Sequence, residues 1–202
     1  MAVSRRFILA TGVTGFAALL ARPLLALSGS PGPQVSSLLL DRALGALDRH
    51  RASITRRDYI GIADFSVASF MPRFHLLDVA GGQVTSHWVA HGRGSDPEHT
   101  GWLERFSNEP RSNATSAGAY KTDCVYIGGH GRSLRLDGLD PSNSNAAARA
   151  IVVHGASYVS AELVRDRGVL GRSLGCFALA HSSLEEVLAK LGPDRLLYAD
   201  KV

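Results

Sequence analysis

The sequence lacks the ligand patterns by which zinc enzymes are recognised. It has eight histidines, but no His-Glu-x-x-His, no His-x-His and no closely spaced pair of cysteines. Such spacings place several metal ligands around one point. Internal repeats, low-complexity tracts and sustained heptads are also missing. A zinc hydrolase, a repeat protein and a coiled coil are therefore disfavoured, and we expect no metal.

Cysteine is scarce, with only Cys124 and Cys176 in 202 residues. If the protein is exported, two cysteines first suggest a disulfide, because the space beyond the inner membrane is oxidising. Cys176, however, follows a glycine-rich turn that suits a reactive thiol, whereas Cys124 lies in an ordinary strand-like segment. We predict two free thiols, with a structural disulfide as the alternative.

A long hydrophobic run is also missing, since no segment reaches the ~20 apolar residues that cross a bilayer. Residues 1–28 come nearest: Arg5 and Arg6 precede an apolar segment that threonines and glycines dilute and that Arg22 ends. This pattern resembles a twin-arginine export signal; an ordinary secretory signal or an uncleaved anchor are alternatives. We predict an export signal at 1–28, a linker at 29–34 and one domain at 35–202, with membrane contact only through an uncleaved signal.

The positive charge lies largely in that segment. Removing Arg5, Arg6 and Arg22 lowers the 22 basic residues to 19 against 18 acidic ones, so the mature net charge is about +1. A nucleic-acid partner is therefore not expected, and the domain is expected to be a monomer.

The hydrophobic pattern predicts a mainly β domain between two helices. Apolar residues recur at helical spacing within 35–50, and a second helix begins at a capping-box pair, Ser182 and Glu185, and ends at Gly192-Pro193. Residues 93–119 are polar and glycine-rich, which predicts a long surface loop. Strands are predicted at 59–65, 73–79, 83–89, 124–128, 133–136, 150–154 and 195–198, with a hairpin turn at Gly81-Gly82.

The candidate chemistry lies at two short segments 22 residues apart. A strand-like run ends at His154-Gly155, and the turn 171–175 presents Cys176. The thiolate is the reactive form of cysteine, so a nearby base or positive charge is needed. Arg172 adds positive potential, and if His154 shares the thiol proton we expect a thiol pKa below ~8.5. The backbone N–H groups of residues 174–176 (Leu174, Gly175 and Cys176) can surround one point as an oxyanion hole.

Two other interpretations of this region stay open. His154 can instead be a hydrogen-bonding core histidine, as a lone histidine often is. The segment Gly171-Arg172-Ser173-Leu174-Gly175 formally matches the serine-hydrolase elbow Gly-x-Ser-x-Gly. That elbow needs a histidine later in the chain, and His181 is too close in sequence to arrive from a separate loop.

A histidine-glycine pair followed by Ser-x-Gly-Cys resembles the L,D-transpeptidases, and the similarity is greatest to a divergent branch of murein L,D-transpeptidase catalytic domain proteins. It covers most of the chain after residue 34. The resembling stretches are Ile62-Ala63-Asp64-Phe65-Ser66, Ala90-His91-Gly92-Arg93, Phe106-Ser107-Asn108, His130-Gly131-Arg132-Ser133-Leu134-Arg135-Leu136, residues 149–160 and residues 171–179.

The resemblance implies a small β-sandwich or open barrel that is exported to the periplasm or cell wall and acts on peptidoglycan stem peptides without a cofactor. Cys176 would attack the peptide, His154 would take the thiol proton, and the carbonyl of Gly155 would orient the imidazole. Hydrolysis of the same thioester by an L,D-carboxypeptidase or endopeptidase, or a non-catalytic cell-wall-binding protein, are the alternatives.

Two positions depart from the family pattern. Leu174 stands where the family usually has histidine, and Ala178 stands where it has arginine or asparagine. The usual anchor for a substrate carboxylate is therefore missing. Guanidinium groups bind carboxylates through paired hydrogen bonds, so the candidates to replace it are Arg172, Arg93 and Arg132, with Ser173 as a further substrate contact.

Overall fold

The computed structural model describes residues 35–202. The predicted export signal and linker lie outside the described residues. The elements are α1 (Ser37–Arg49), β1 (Tyr59–Asp64), β2 (Phe74–Asp78), β3 (Val84–His87), β4 (Val89–Ala90), a 3-10 turn (Arg93–Ser95), β5 (Gly118–Gly128), β6 (Gly131–Gly138), β7 (Val152–Gly155), α2 (Ala161–Arg167), β8 (Phe177–Leu179), α3 (His181–Lys190) and β9 (Leu196–Asp200). None of these helices is both long and apolar enough to span a membrane.

The nine strands form one curled sheet in the order β3-β2-β1-β9-β5-β6-β7-β8-β4. Its edge strands, β3 and β4, are consecutive in the chain and separated by Trp88 alone. Two extended residues span only about 7 Å, so the sheet must curl until its edges come together. The protein is thus an open barrel, and the mainly β prediction with an N-terminal and a C-terminal helix is confirmed.

The central strands are buried on both faces, which explains their nearly continuous apolar runs. On one face, α1 packs its buried residues against β1 and β9, and Ser36 caps the helix by accepting a hydrogen bond from the N–H of Leu39 at 3.2 Å. This cluster contains Leu39, Ala43, Ala46, Leu47, Ile60, Ile62, Leu196 and Tyr198. The larger core on the other face includes Phe65, Phe74, Tyr120 and Phe177.

Three predictions of local structure need correction. The single strand predicted at 83–89 is two strands at opposite edges of the sheet. The strand predicted from 124 begins at Gly118, and a bulge between Thr122 and Val125 breaks its alternation. The predicted capping box of α3 is wrong, because the helix begins at His181 after Ala180, which makes no side-chain cap.

The segment 93–119 is only partly a surface loop. Apart from the 3-10 turn it contains no regular element before β5, but several of its side chains are fully buried. These are Ser95, Asp96, Leu103, Ala114, Thr115 and Ser116. Its polar composition reflects side chains that bond to the loop's own backbone, and the loop therefore packs as part of the domain.

Candidate active site

The Cys176 turn is held in place by the segment that follows β4. Ser173 donates its N–H to the carbonyl of His91 at 2.9 Å and accepts at its own carbonyl from the N–H of Arg93 at 2.8 Å. The hydroxyl of Ser173 donates to the carbonyl of Cys176 at 2.7 Å. Ser173 therefore shapes the turn that presents the thiol, and its buried side chain is not free to contact a substrate.

His154 lies at the end of β7, and its ring is oriented by the next peptide group. Its Nδ1 is 2.9 Å from the carbonyl oxygen of Gly155, and a carbonyl can only accept, so Nδ1 carries the proton. Burial lowers the pKa of His154, and His130 and His181 lower it further against the effect of the Gly155 bond. The imidazole is therefore neutral at rest, with its Nε2 lone pair available.

The sheet places the strand of His154 next to the short strand that follows Cys176. Parallel pairing of β7 with β8 aligns His154 with Ala178, and Cys176 precedes Ala178 by two residues. Cys176 itself lies in the turn, one residue before β8 begins, and a backbone hydrogen bond from Val152 on β7 reaches it. His154 and Cys176 therefore lie on neighbouring segments of the chain. Within the described residues no hydrogen bond joins them; the thiol donates to the carbonyl of Ala150 at 3.5 Å.

The resting thiol is protonated. Burial raises the pKa of Cys176, while a backbone hydrogen bond from Val152 and the charge of Arg149 lower it. The net direction is opposite to the expectation from sequence. Both cysteines are free, Cys176 partly buried and Cys124 exposed.

Arg149 lies beside Cys176, and the sequence patterns did not single it out. Its Nη1 donates to the carbonyl of Ser107 at 2.7 Å and to the hydroxyl of Ser116 at 2.6 Å. Its Nη2 donates to the hydroxyl of Ser112 at 3.2 Å and to the carbonyl of Ala114. One guanidinium thus holds the loop 107–116 beside the nucleophile and supplies the positive charge that Arg172 was expected to supply.

The three arginines proposed from sequence have different surroundings. Arg172 donates to the carbonyls of Asp96 and Pro97, and Arg132 pairs with Glu185 on α3 at 2.6 Å. Both are therefore already engaged. Arg93 is exposed and makes no side-chain hydrogen bond or ion pair to any described residue, which leaves its guanidinium available.

A further arginine, Arg111, lines a pocket beside the Cys176 turn. The pocket has a volume of about 400 Å³, and Arg149 and Leu174 contribute to its wall. Arg111 has a left-handed backbone, with φ of 64°, and its exposed side chain has no hydrogen-bond partner among residues 35–202. Left-handed non-glycine residues are uncommon and often occur at functional sites.

The backbone N–H groups of the turn are not equivalent. The N–H of Gly175 donates to the hydroxyl of Ser173 at 3.1 Å. Those of Leu174 and Cys176 have no acceptor in the described part of the chain. Two of the three donors suggested from sequence are thus unpaired in the resting structure.

A buried hydrogen-bond network lies behind the turn. Arg73, which is fully buried, has its Nη2 2.7 Å from Nδ1 of His91, and Nε2 of His91 is 3.3 Å from Asp96. Asp96 also accepts from the N–H groups of Thr100 and Gly101. Burial lowers the pKa of both Arg73 and His91, so His91 is neutral and bridges a cation to an anion. No set of three or more metal-binding side chains occurs within 35–202.

Residues 32–199 match the model of the L,D-transpeptidase catalytic domain family. The chain belongs to this family. Its members are L,D-transpeptidases, enzymes of peptidoglycan. Among curated proteins, none matches the sequence.

Similar solved structures include an L,D-transpeptidase from Mycobacterium smegmatis, at 13% identity and a TM-score of 0.42, and one from Mycobacterium tuberculosis, at 15% identity and a TM-score of 0.44. Both matches cover 71% of this chain, and they cover 58% and 57% of the other chains. An L,D-transpeptidase from Xylanimonas cellulosilytica has 15% identity and a TM-score of 0.41, over 78% of this chain and 68% of its own. This chain therefore spans less than two thirds of the length of the two mycobacterial chains.

Proposed function

We propose that this L,D-transpeptidase family member is an exported cysteine acyltransferase of peptidoglycan stem peptides, with Cys176 as nucleophile and His154 as general base. The observation that carries the proposal is the arrangement of His154. Its Nδ1 proton is fixed on the carbonyl of Gly155, its Nε2 lone pair is free, and its strand β7 pairs with β8, which directly follows Cys176.

The reaction begins with a neutral pair of side chains. As the substrate carbonyl approaches, the S–H proton of Cys176 moves to Nε2 of His154 while the sulfur attacks the carbonyl of the third, L-configured residue of a stem tetrapeptide. The N–H groups of Leu174 and Cys176 stabilise the oxyanion, since both are unpaired at rest. His154 then gives its proton to the departing D-alanine, which leaves a thioester on Cys176.

The thioester is resolved by an amine from a second stem peptide. His154 takes a proton from the attacking amine and returns it to the sulfur, which regenerates the thiol and forms the cross-link. Two pockets flank the site. One is lined by Arg111 and Leu174, and the other, of about 320 Å³, is lined by Ser157 and His181 on the side of Gly155. We assign the donor to the first and the acceptor to the second.

Arg111 binds the free carboxylate of the donor peptide. Arg172 and Arg132 are engaged with protein groups, and four N–H donors of Arg149 are used by the loop. Arg111 is the arginine that both lines the pocket beside the turn and lacks a described partner. Replacing Arg111 by glutamine should raise KM for a tetrapeptide about tenfold or more, because a charged hydrogen bond is worth roughly 1.5–3 kcal/mol. A substrate with an amidated carboxyl end should show no such loss.

The test of the function is incubation of the protein with purified tetrapeptide fragments of peptidoglycan, followed by mass spectrometry. Loss of D-alanine with formation of cross-linked dimers is the expected result, and loss without dimers would assign an L,D-carboxypeptidase. Cys176→Ser should abolish both reactions, and Cys124→Ser, which replaces the other free thiol, should retain them. Unchanged fragments would contradict the proposal and favour a cell-wall-binding protein.

A further inference from the structure

The tip of the β5–β6 hairpin lies against the proposed base. The strands pair up to Gly128 and Gly131, so the loop consists of Gly129 and His130. The ring of His130 stacks on the ring of His154, with centroids 4.2 Å apart and an angle of 18° between the planes. His130 is exposed, whereas His154 is 1% exposed. One face of the buried imidazole is therefore covered by an imidazole that remains in contact with solvent.

This contact supplies a constraint that the Gly155 bond does not. A single hydrogen bond at Nδ1 leaves the ring free to tilt about that bond. A parallel ring at 4.2 Å blocks tilting on one side. Together they fix the direction of the Nε2 lone pair, and a proton acceptor must be directed at the thiol before it can act.

The hairpin is itself tied to the domain near this point. Arg132, two residues after His130, forms a 2.6 Å ion pair with Glu185 on α3. Helix α3 also brings His181 close to Gly155, since a Cβ at Gly155 would lie 2.5 Å from its Nδ1. The titratable and charged groups around His154 are thus His130, His181 and the Arg132–Glu185 pair, with Cys176 and Arg149 beyond the turn.

We propose that His130 is a positioning residue, which holds the His154 imidazole in the orientation that accepts the Cys176 proton and which opposes that transfer when His130 is itself protonated. The charge argument follows from the geometry. When the S–H bond breaks and the N–H bond forms, His154 becomes an imidazolium stacked on His130. A neutral His130 presents a polarisable ring face to this cation. A protonated His130 presents a like charge at the same distance, which disfavours the transfer.

The inference rests on the proposed function for one point, that His154 is the base for Cys176. It is tested without peptidoglycan, by the rate at which iodoacetamide alkylates Cys176 as a function of pH. The full chain carries Cys124→Ser, so that the exposed second thiol does not react. The variants are His130→Ala, which removes the ring, and His130→Phe, which keeps a flat ring that cannot be protonated. Ile127→Ala is the matched control, because Ile127 is on the same hairpin and 84% exposed.

His130→Ala should slow alkylation at neutral pH by about 10- to 100-fold, in line with the cost of misplacing a catalytic group. His130→Phe should stay within about twofold of the parent at neutral pH but lose the fall in rate that accompanies His130 protonation. Nitrogen NMR should show the Nδ1–H tautomer of His154 in all three proteins, because the Gly155 bond sets it, whereas line broadening from ring motion should appear only in His130→Ala.

Equal rates and equal His154 spectra in His130→Ala and Ile127→Ala would overturn the inference. The inference would also fail if the alkylation rate of His130→Phe fell at low pH in the same way as that of the parent. A failure of the proposed function gives a different result: the fragments are not turned over, while the spectra of His154 still respond to His130. An alkylation rate that His154→Ala leaves unchanged would remove His154 from the mechanism and the inference with it.

Discussion

Gly175 offers the sharpest test of how the nucleophile turn is built. Its φ is 122°, a backbone conformation that side chains rarely adopt, and a Cβ placed there would lie 2.9 Å from the carbonyl oxygen of Ala114 and 3.3 Å from Nη2 of Arg149. That carbonyl cannot easily retreat, because Arg149 holds it by a hydrogen bond. Gly175→Ala therefore combines backbone strain with a collision against a fixed group.

We expect this substitution to lower the free energy of unfolding by about 1–3 kcal/mol, the cost of one strained residue, and to displace Cys176. A displacement of 1 Å costs about 10²-fold in rate, so turnover of tetrapeptide fragments should fall by about that factor. The matched control is Gly168→Ala, at the end of α2. Its φ is 70°, but a Cβ there meets nothing within 4 Å. The substitution therefore costs only about 1–2 kcal/mol, which is what a residue with a Cβ loses in a left-handed backbone.

The two free energies are measured by urea unfolding and the two rates by release of D-alanine. Gly168→Ala should lose some stability and keep its turnover, whereas Gly175→Ala should lose both. If Gly175→Ala retained the turnover of Gly168→Ala, the turn would not be held against Ala114 in the way described, and the assignment of its N–H groups to the oxyanion would fail.

Three further outcomes are expected. Arg149→Met should lower the unfolding free energy by about 2 kcal/mol or more, since charged hydrogen bonds to the loop are lost, and should move the alkylation profile of Cys176 to higher pH; a profile equal to that of the parent would contradict the electrostatic role. His154→Ala should slow thioester formation by about 10²- to 10⁴-fold with little change in KM, as single-turnover kinetics can show. Stability should fall as pH drops below about 6.5, because burial lowers the folded pKa of His91 to about 3 and only the unfolded chain takes up the proton; urea midpoints that stay constant between pH 7 and 5 would contradict this.

The sequence was most informative where the structure depends on neighbouring residues. The hairpin turn at Gly81-Gly82 is predictable because positive φ favours glycine, and Gly82 has a φ of 66°. Helix α1 is predictable because its buried residues recur at helical spacing. The positions of His154 and Cys176 at a strand end and after a turn follow from similarly local patterns.

The remaining features depend on contacts between distant segments. Arg149 bonds to residues 33 to 42 positions away, and no local pattern indicates that a guanidinium will close the loop 107–116. The three-residue strand β8 exists only because β7 and β4 lie on either side of it. The sequence does carry a signal for His130, because glycines surround it between two strand-like runs, which is typical of a tight hairpin tip.

The raised pKa of Cys176 changes how the proposed catalysis should be understood. A resting thiolate–imidazolium pair would need a lowered pKa of Cys176 and a raised pKa of His154. Burial does the reverse in each case, because it raises the pKa of Cys176 and lowers that of His154. The pair is therefore neutral at rest, and its proton moves as the sulfur attacks an electrophile, whether this is an alkylating agent or a substrate carbonyl whose oxyanion the turn N–H groups receive. Because oxidants and alkylating agents react with thiolates, a neutral resting thiol is also the less reactive state. It follows that iodoacetamide should alkylate Cys176 more slowly at neutral pH than it alkylates the exposed Cys124, and the opposite order would mean that the resting pair is ionic.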